Sequence, residues 1–393
     1  MAVIFLYFAL FLGVHFLSKQ FLDKPSGKAE RMRPGAARLF QLVACFILLF
    51  GFFGFRDITV LNDTPHYYGF YFQKAHILNY RNEPVTTFHL LDSFEYGFQV
   101  FVHILVKYVS KNPYTIILVS SFVITIGELW LIDRYAKDIA LVCFYMLTAG
   151  LFFMHYCIIR QALALFFFYF AFNCLEKRKI GKYCLLVGCA SLFHLSAISL
   201  FLLPIIIRFS PSRRNASIAI GASLLLAAFI FEILSLIGLR DHPYYQAAIQ
   251  KDSLSVIGLA ECAFMVFVLS VCLFARKRSG APKPDNIFFW ICTGGLCVCL
   301  ISLVIYPISR VNEYLWPFII IHLLRYIEPL SMREPYTTRI EGTRKILRLI
   351  VIFVFVTKLV GINTFRPEWL HIDSYQFYDF SKKDHTYNIY PQK

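Results

Sequence analysis

The sequence predicts an all-α polytopic integral membrane protein, with about ten to twelve transmembrane or re-entrant helices. Three observations predict it. Of 393 residues, 58% are hydrophobic and only 16% charged, with a mean hydropathy of +0.60, a balance unlike that of a soluble core. Apolar runs such as "ASIAIGASLLLAAFIFEILSLIG" lack the period-two alternation of barrel strands, which leaves helices to satisfy the backbone in lipid. Finally, the Lys and Arg residues behind the net charge of +15 collect in short loops at alternating ends of the apolar segments. That is the positive-inside pattern. This charge orients the chain and meets anionic headgroups; it is not a nucleic-acid stripe.

With Lys19, Lys24, Lys28, Arg31, Arg33 and Arg38 placed inside, residues 2–17 run inward. This first segment lacks a basic start and a small-residue cleavage site, so it is a membrane helix and not a removable signal. Residues 39–55 return outward and deliver Arg56 to the outer face. An outer loop then covers 56–111. Its first ~40 residues, through Glu95, have no assigned helix, and loops that long are functional or disordered; the many aromatics argue against disorder. Residues 97–109 are too short to span comfortably, and spanning would put the basic loops at 177–182 and 276–278 on the wrong side. They are read as an amphipathic helix in the outer interface.

Residues 113–131 run inward, 139–156 outward and 161–175 inward. Cationic loops flank both ends of 183–207, which two short half-helices turning near His194 would reconcile. Then 215–238 go out, 239–253 form a second outer loop, 254–274 go in, 286–306 out, 311–328 in and 347–362 out. An outer tail covers 363–393. The whole chain, 1–393, is read as one transmembrane domain, without the internal repeat of an inverted-repeat transporter.

The eleven cysteines lie almost entirely in apolar segments, with no CxxC and no Cys/His zinc spacing, and read as small core hydrophobes. No metal site is assigned. No P-loop, GxGxxG, HExxH or GxSxG occurs either.

Ionisable residues in or beside a membrane are the candidates for chemistry. Arg160 opens the run "RQALALFFFYFAF", where its guanidinium and the first helical N–H groups would both favour an anion. The alternative is a snorkelling Arg, or one paired with a structural carboxylate. His194 in "SLFHLSA" is either a satisfied structural group or a donor to phosphate. Arg310 in "YPISRVNEYLWPF" begins a helix at the outer face, as an anion ligand or a headgroup anchor. Asp57, Asp63 and Glu95 could take a proton from a sugar hydroxyl or hold a divalent cation on phosphates. Equally, "RD" could be a local ion pair and "NDTP" a turn. Tyr67, Tyr68 and Tyr71 are a sugar-stacking surface or an interfacial belt.

In this order, "FRDITVLND…YYGFY", "FEYGF", "IIRQALA", "LFHLSA" and "SRVNEYL" resemble the EpsG family, Wzy-like bacterial membrane proteins of exopolysaccharide, capsule and O-antigen assembly. The likeness runs from about Gly51 to Phe318. Tyr96 stands where the family's pattern usually has Pro. The resemblance implies a GT-C-like membrane glycosyltransferase that polymerises repeat units carried on undecaprenyl diphosphate, at the outer face of the inner membrane. It implies Arg56, Arg160, Gln161, Arg310 and Tyr314 around the diphosphate, His194 assisting, and Asp57, Asp63 or Glu95 as base. Tyr67, Tyr68 and Tyr71 would face sugar. No cofactor is required, and a divalent cation is allowed without being indicated. The implied partners are the lipid-linked glycan, membrane lipids, and flippase and chain-length-regulator proteins, with no nucleic acid. A flippase-like transporter, an acyltransferase relying on His194, and a non-catalytic scaffold are the alternatives.

Overall fold

The structure, a computed structural model, describes residues 2–23, 34–81, 94–236, 238, 256–279, 285–336, 341–373 and 375–381. In chain order its helices are α1 (Ala2–Asp23), α2 (Pro34–Gly54), α3 (Thr64–Arg81), α4 (Tyr96–Tyr108), α5 (Thr115–Tyr135), α6 (Ile139–Thr148), α7 (Leu151–Cys157), α8 (Ile159–Glu176) and α9 (Ile180–Phe193). After them come α10 (Leu203–Ile206), α11 (Arg213–Ala228), α12 (Ile230–Leu236), α13 (Val256–Ser279), α14 (Asn286–Ser302), α15 (Asn312–Ile327), α16 (Glu341–Phe365) and α17 (Pro367–Leu370). Short 3₁₀ segments cover Leu195–Leu202, Tyr306–Val311 and Pro329–Ser331. Among the described residues there is no strand beyond one isolated bridge, Arg56 with Phe377. The second outer loop expected at 239–253 lies outside the described residues.

Among the described residues, five helices are long and apolar enough to cross a membrane: Ala2–Gln20, Gly35–Gly54, Thr115–Tyr135, Val256–Arg278 and Thr343–Phe365. The number rises to seven if two bent pairs each count as one span. The segment expected to run straight over 139–156 is one of them, bent by 75° between α6 and α7. Gly150 makes the corner at φ +83°, a conformation that costs a side-chain-bearing residue energy. Breaking the ladder frees carbonyls in an apolar setting, and Lys358 of α16 donates to one of them, Ala149 O, at 3.3 Å. The other bent pair, α11 and α12, turns by 66°. The chain also breaks at His194: α9 ends at Phe193 and a 3₁₀ segment starts at Leu195.

The described residues group into two compact units. The first holds Met1–Asn173, Lys182–Leu195 and Ile352–Lys393. Here the expectation of a helix-free stretch after Arg56 is corrected, because residues 64–81 form α3. Pro65 sits in its first turn, where its missing N–H costs nothing. Tyr67, Tyr68, Tyr71 and Ala75 make one buried face. That face joins Phe98, Val102, Leu105 and Val106 of α4, Ile116 and Ile117 of α5, and Ile159 and Leu163 of α8 in a single apolar cluster. Helix α4 is amphipathic and short. It begins beside the first turn of α8 and ends just before the first turn of α5.

Arg56 fixes this end of the unit. Its side chain is fully buried and donates to Phe53 O, Tyr156 O (3.0 Å), Ser121 Oγ (3.1 Å) and Thr64 Oγ1 (3.3 and 3.4 Å). Phe53 and Tyr156 are in the last turns of α2 and α7, where unpaired carbonyls carry the negative end of the helix dipole. The C-terminal segment closes over it. Asp57 N donates to Gln376 O (2.8 Å) and Tyr378 N to Phe55 O (2.9 Å), while Leu61 N reaches Leu370 O (3.0 Å). The Tyr375 ring stacks on Phe52 at 4.5 Å, and the Tyr378 ring on Tyr114 at 3.7 Å. The ends of α2 and α16 are therefore held together.

The second unit, Cys174–Gly181 and Ser196–Val351, is built around α14. That helix packs on α11, α13, α15 and the 3₁₀ segment Tyr306–Val311. Trp290 Nε1 donates to Phe209 O at 2.8 Å, and Asn312 Nδ2 to Cys299 Sγ at 3.1 Å, pinning the start of α15.

Replacing Arg56 with Ala strands the carbonyls and hydroxyls that it satisfies in a buried site. The expected loss is on the order of 3 kcal/mol, read as a lower melting temperature of the detergent-purified protein. An unchanged melting temperature would show that Arg56 is not the clamp.

Candidate active site

Glu95 stands immediately before α4 with an extended backbone, and its side chain makes no capping bond to that helix. It gathers donors from two remote stretches of chain instead. One carboxylate oxygen accepts from His194 Nδ1 at 2.8 Å and from the Leu195 backbone N–H at 3.3 Å. The other pairs with the guanidinium of Arg160. Arg160, the second residue of α8, lies over the Phe94 ring at 4.6 Å and hydrogen-bonds the Tyr67 hydroxyl. Phe94 in turn packs edge-on against Phe70 at 4.5 Å and against Phe98 at 5.5 Å. An apolar floor thus holds a polar cluster.

One glycine lets the cluster form. A Cβ on Gly97 would lie 2.8–2.9 Å from the carbonyl and Cβ of Leu192. Helix α4 can approach the end of α9 closely enough to bring Glu95 to His194 only without a side chain there. The "FEYGF" stretch therefore supplies a carboxylate, the aromatic under Arg160 and the gap that admits both.

Two buried donor or acceptor atoms of the cluster, Arg160 Nε and His194 Nε2, have no hydrogen-bond partner among the described residues. Such atoms are rare in folded proteins and mark a place for a ligand group or water. Burial by itself would raise the Glu95 carboxyl, but the His194 hydrogen bond and the Arg160 charge outweigh it and pull it down to about 2. Glu95 is thus firmly ionised. Burial, aided by Asp63, pushes the Tyr67 hydroxyl up to about 12, so Tyr67 stays neutral.

Four of the other expected site residues go elsewhere. Arg56 is consumed by the clamp described above and presents no donor to solvent. Asp57 folds back on Thr59, accepting from its N–H at 3.0 Å and its hydroxyl at 2.7 Å, a local turn of the kind Asp favours. Tyr68 and Tyr71 are buried in the aromatic cluster, with the Tyr71 hydroxyl bonded to Ser110 O, so neither offers a ring face to a sugar. Tyr67 is buried too, but its hydroxyl reaches Arg160. Asp63 sits half-buried at the start of α3, its carbonyl accepting from His66 N and Tyr67 N. Gln161 is buried beside Arg160 in sequence. In the second unit Arg310 is exposed, and Tyr314 is fully buried with its hydroxyl accepting from Ser196 Oγ at 3.3 Å. Among the described residues no group of three or more His, Cys, Asp or Glu could hold a metal ion.

Sequence reasoning missed Phe94, Gly97 and the Leu195 N–H. It also missed Glu128 of α5, which lies inside a span and accepts from His155 Nδ1 (2.7 Å) and the Tyr169 hydroxyl (2.8 Å). A carboxylate and an imidazole within apolar runs were the available signal.

Two outcomes follow for this cluster. Gly97→Ala forces α4 off Leu192 at about 1–3 kcal/mol and separates Glu95 from His194, which a cross-link between cysteines placed at 95 and 194 would report by forming more slowly than in the Gly97 background. A carboxyl lowered from its ordinary 4.5 to about 2 stabilises the fold above pH 4.5, and that contribution fades as pH falls toward 2. The melting temperature of wild type minus that of Glu95→Gln should therefore be positive and flat above pH 5 and shrink in acid; a difference that grows in acid would contradict the ion pairing.

Four of the five motifs, widely separated in sequence, contribute to this one neighbourhood of the first unit. No curated protein and no solved structure matches the chain. A model of the EpsG family matches residues 39–377 of the 393, a range that contains Arg56, Glu95, Arg160, His194 and Arg310. The chain therefore belongs to the EpsG family, multi-pass membrane proteins of the polysaccharide-polymerase type.

Proposed function

We propose that the protein polymerises oligosaccharide repeat units carried on undecaprenyl diphosphate, by glycosyl transfer at the outer face of the bacterial inner membrane. The product would be an exopolysaccharide, capsule or O-antigen chain, and the enzyme would be a GT-C-like glycosyltransferase. The observation that carries this reading is the Arg160–Glu95–His194 cluster at the start of α8. A transfer from a lipid diphosphate develops negative charge on the leaving phosphates, which fixed donors must offset. Arg160 has its guanidinium over the Phe94 ring, an Nε–H left over, and a place in the first turn of α8, where the helix dipole favours an anion. The same cluster contains an acid–base pair for the acceptor hydroxyl. Arg310 is a second proposed diphosphate ligand, and Gln161 and Tyr314 are proposed beside the two arginines in sequence. A flippase that delivers the lipid-linked unit and a chain-length regulator are the proposed protein partners.

Purified protein incubated with an undecaprenyl-diphosphate-linked repeat unit should give a ladder of products resolved by size. Arg160→Ala should lower the rate by about 10²-fold or more, with Arg160→Lys, which keeps the charge but loses the fork, in between. Arg310→Ala in the same assay should also reduce polymer yield. A wild type that binds the lipid-linked unit yet yields no ladder would overturn glycosyl transfer in favour of transport or scaffolding.

A further inference from the structure

We infer that the acceptor hydroxyl gives its proton to Nε2 of His194, and that Glu95 is the positioning residue behind it and not itself the base. This rests on the glycosyl-transfer reading above. The assignment follows from which atoms face which. A carboxylate accepts hydrogen bonds and does not donate them, so the 2.8 Å contact between His194 Nδ1 and Glu95 Oε1 places the imidazole hydrogen on Nδ1. The neutral ring then has its lone pair on Nε2, the buried nitrogen without a partner among the described residues. Glu95 is occupied at both oxygens, by His194, the Leu195 N–H and Arg160. A carboxylate so engaged is a weak base, and protonating it would undo the pairs that hold the site together.

Within the first unit, the titratable and charged groups around the ring are Glu95, just ahead of α4, and behind it Arg160 of α8. Tyr67 of α3 stands on the far side of Arg160. The preceding residue, Phe193, packs against Phe167 at 5.3 Å and Phe101 at 6.2 Å, which anchors the end of α9.

In the step itself the acceptor O–H bond breaks and its proton moves to Nε2. The freed oxygen bonds to the anomeric carbon. The bond from that carbon to the diphosphate breaks, and the electron pair leaves with the diphosphate toward Arg160. The imidazolium left behind carries N–H on both nitrogens, and Glu95 faces one of them, so the charge created by the transfer is offset where it appears. Release of the elongated glycan returns the proton to water.

The test is kcat/KM against pH for wild type, His194→Ala and Glu95→Gln on the lipid-linked repeat unit. Wild type should rise with pH to a plateau. His194→Ala should lose about 10²–10⁴-fold, lose the acid limb, and regain activity with added imidazole. Glu95→Gln, which keeps an acceptor for Nδ1–H but removes the charge, should retain measurable turnover with a pH profile altered from that of wild type. A wild-type ladder with His194→Ala within about threefold of it overturns this assignment and leaves polymerisation standing. So does a Glu95→Gln protein that is inactive while Glu95→Asp and His194→Ala both turn over, which would make the carboxylate the base. No ladder from wild type removes the polymerase reading together with this one.

Discussion

A cation buried without a carboxylate is the constraint from which the first unit is built. Arg56 is fully enclosed, and its partners are two helix-end carbonyls and two hydroxyls. Leaving a guanidinium in an apolar interior is costly unless its donors are met. Here the negative ends of α2 and α7 converge on it, while Ser121 of α5 and Thr64 of α3 meet the remaining donors. Satisfying one residue thus fixes the outer ends of four helices. The Tyr114 hydroxyl, at 2.8 Å from Arg56 O and 2.9 Å from Gly54 O, extends the arrangement to the start of α5. Because α8 begins two residues after α7 ends, the position of Arg160 is inherited from that clamp.

The polar cluster is assembled on this frame by contacts that reinforce one another. The aromatic cluster of α3 and α4 gives Phe94 a bed, Phe94 gives the Arg160 guanidinium a flat support, and Gly97 lets α4 close on α9 until Glu95 meets His194. None of the three polar residues is a helix cap or a turn ligand, which separates them from Asp57, whose carboxylate is used up by Thr59 two residues away. Of the outer carboxylates, Glu95 is the one drawn toward distant segments, and its depressed ionisation is the electrostatic record of that.

Much of this was legible in the sequence, for physical reasons that can be named. Apolar run length reports on lipid directly, so the helices long enough to span follow from it. A break at His194 followed from the cations at both ends of 183–207. Helix α3 was invisible because its mean hydropathy is low and its tyrosines suit a loop, a belt or a helix equally; only packing on α4 decides. Arg56 and Arg160 are indistinguishable as letters, each an Arg at the outer end of an apolar run. One became the clamp and the other a site residue because helix C-termini surround the first and a helix N-terminus the second. The tyrosines of 67–71 were misjudged for the same reason: an aromatic near a membrane edge reads as surface until its neighbours are known.

The geometry also bears on why one carboxylate should serve two partners. Glu95 gives one oxygen to Arg160 and the other to His194, so the resting cluster is balanced and a cation is held in place without a net charge that would attract stray anions. When a diphosphate draws on Arg160, the pairing between Arg160 and Glu95 is shared with the ligand, and more of the carboxylate's field falls on the imidazole. In the proposed reaction, leaving-group binding and transfer of the acceptor proton would then meet at a single side chain. Glu95 stands directly before α4 and pairs with the second residue of α8, so the cluster sits where two helices begin.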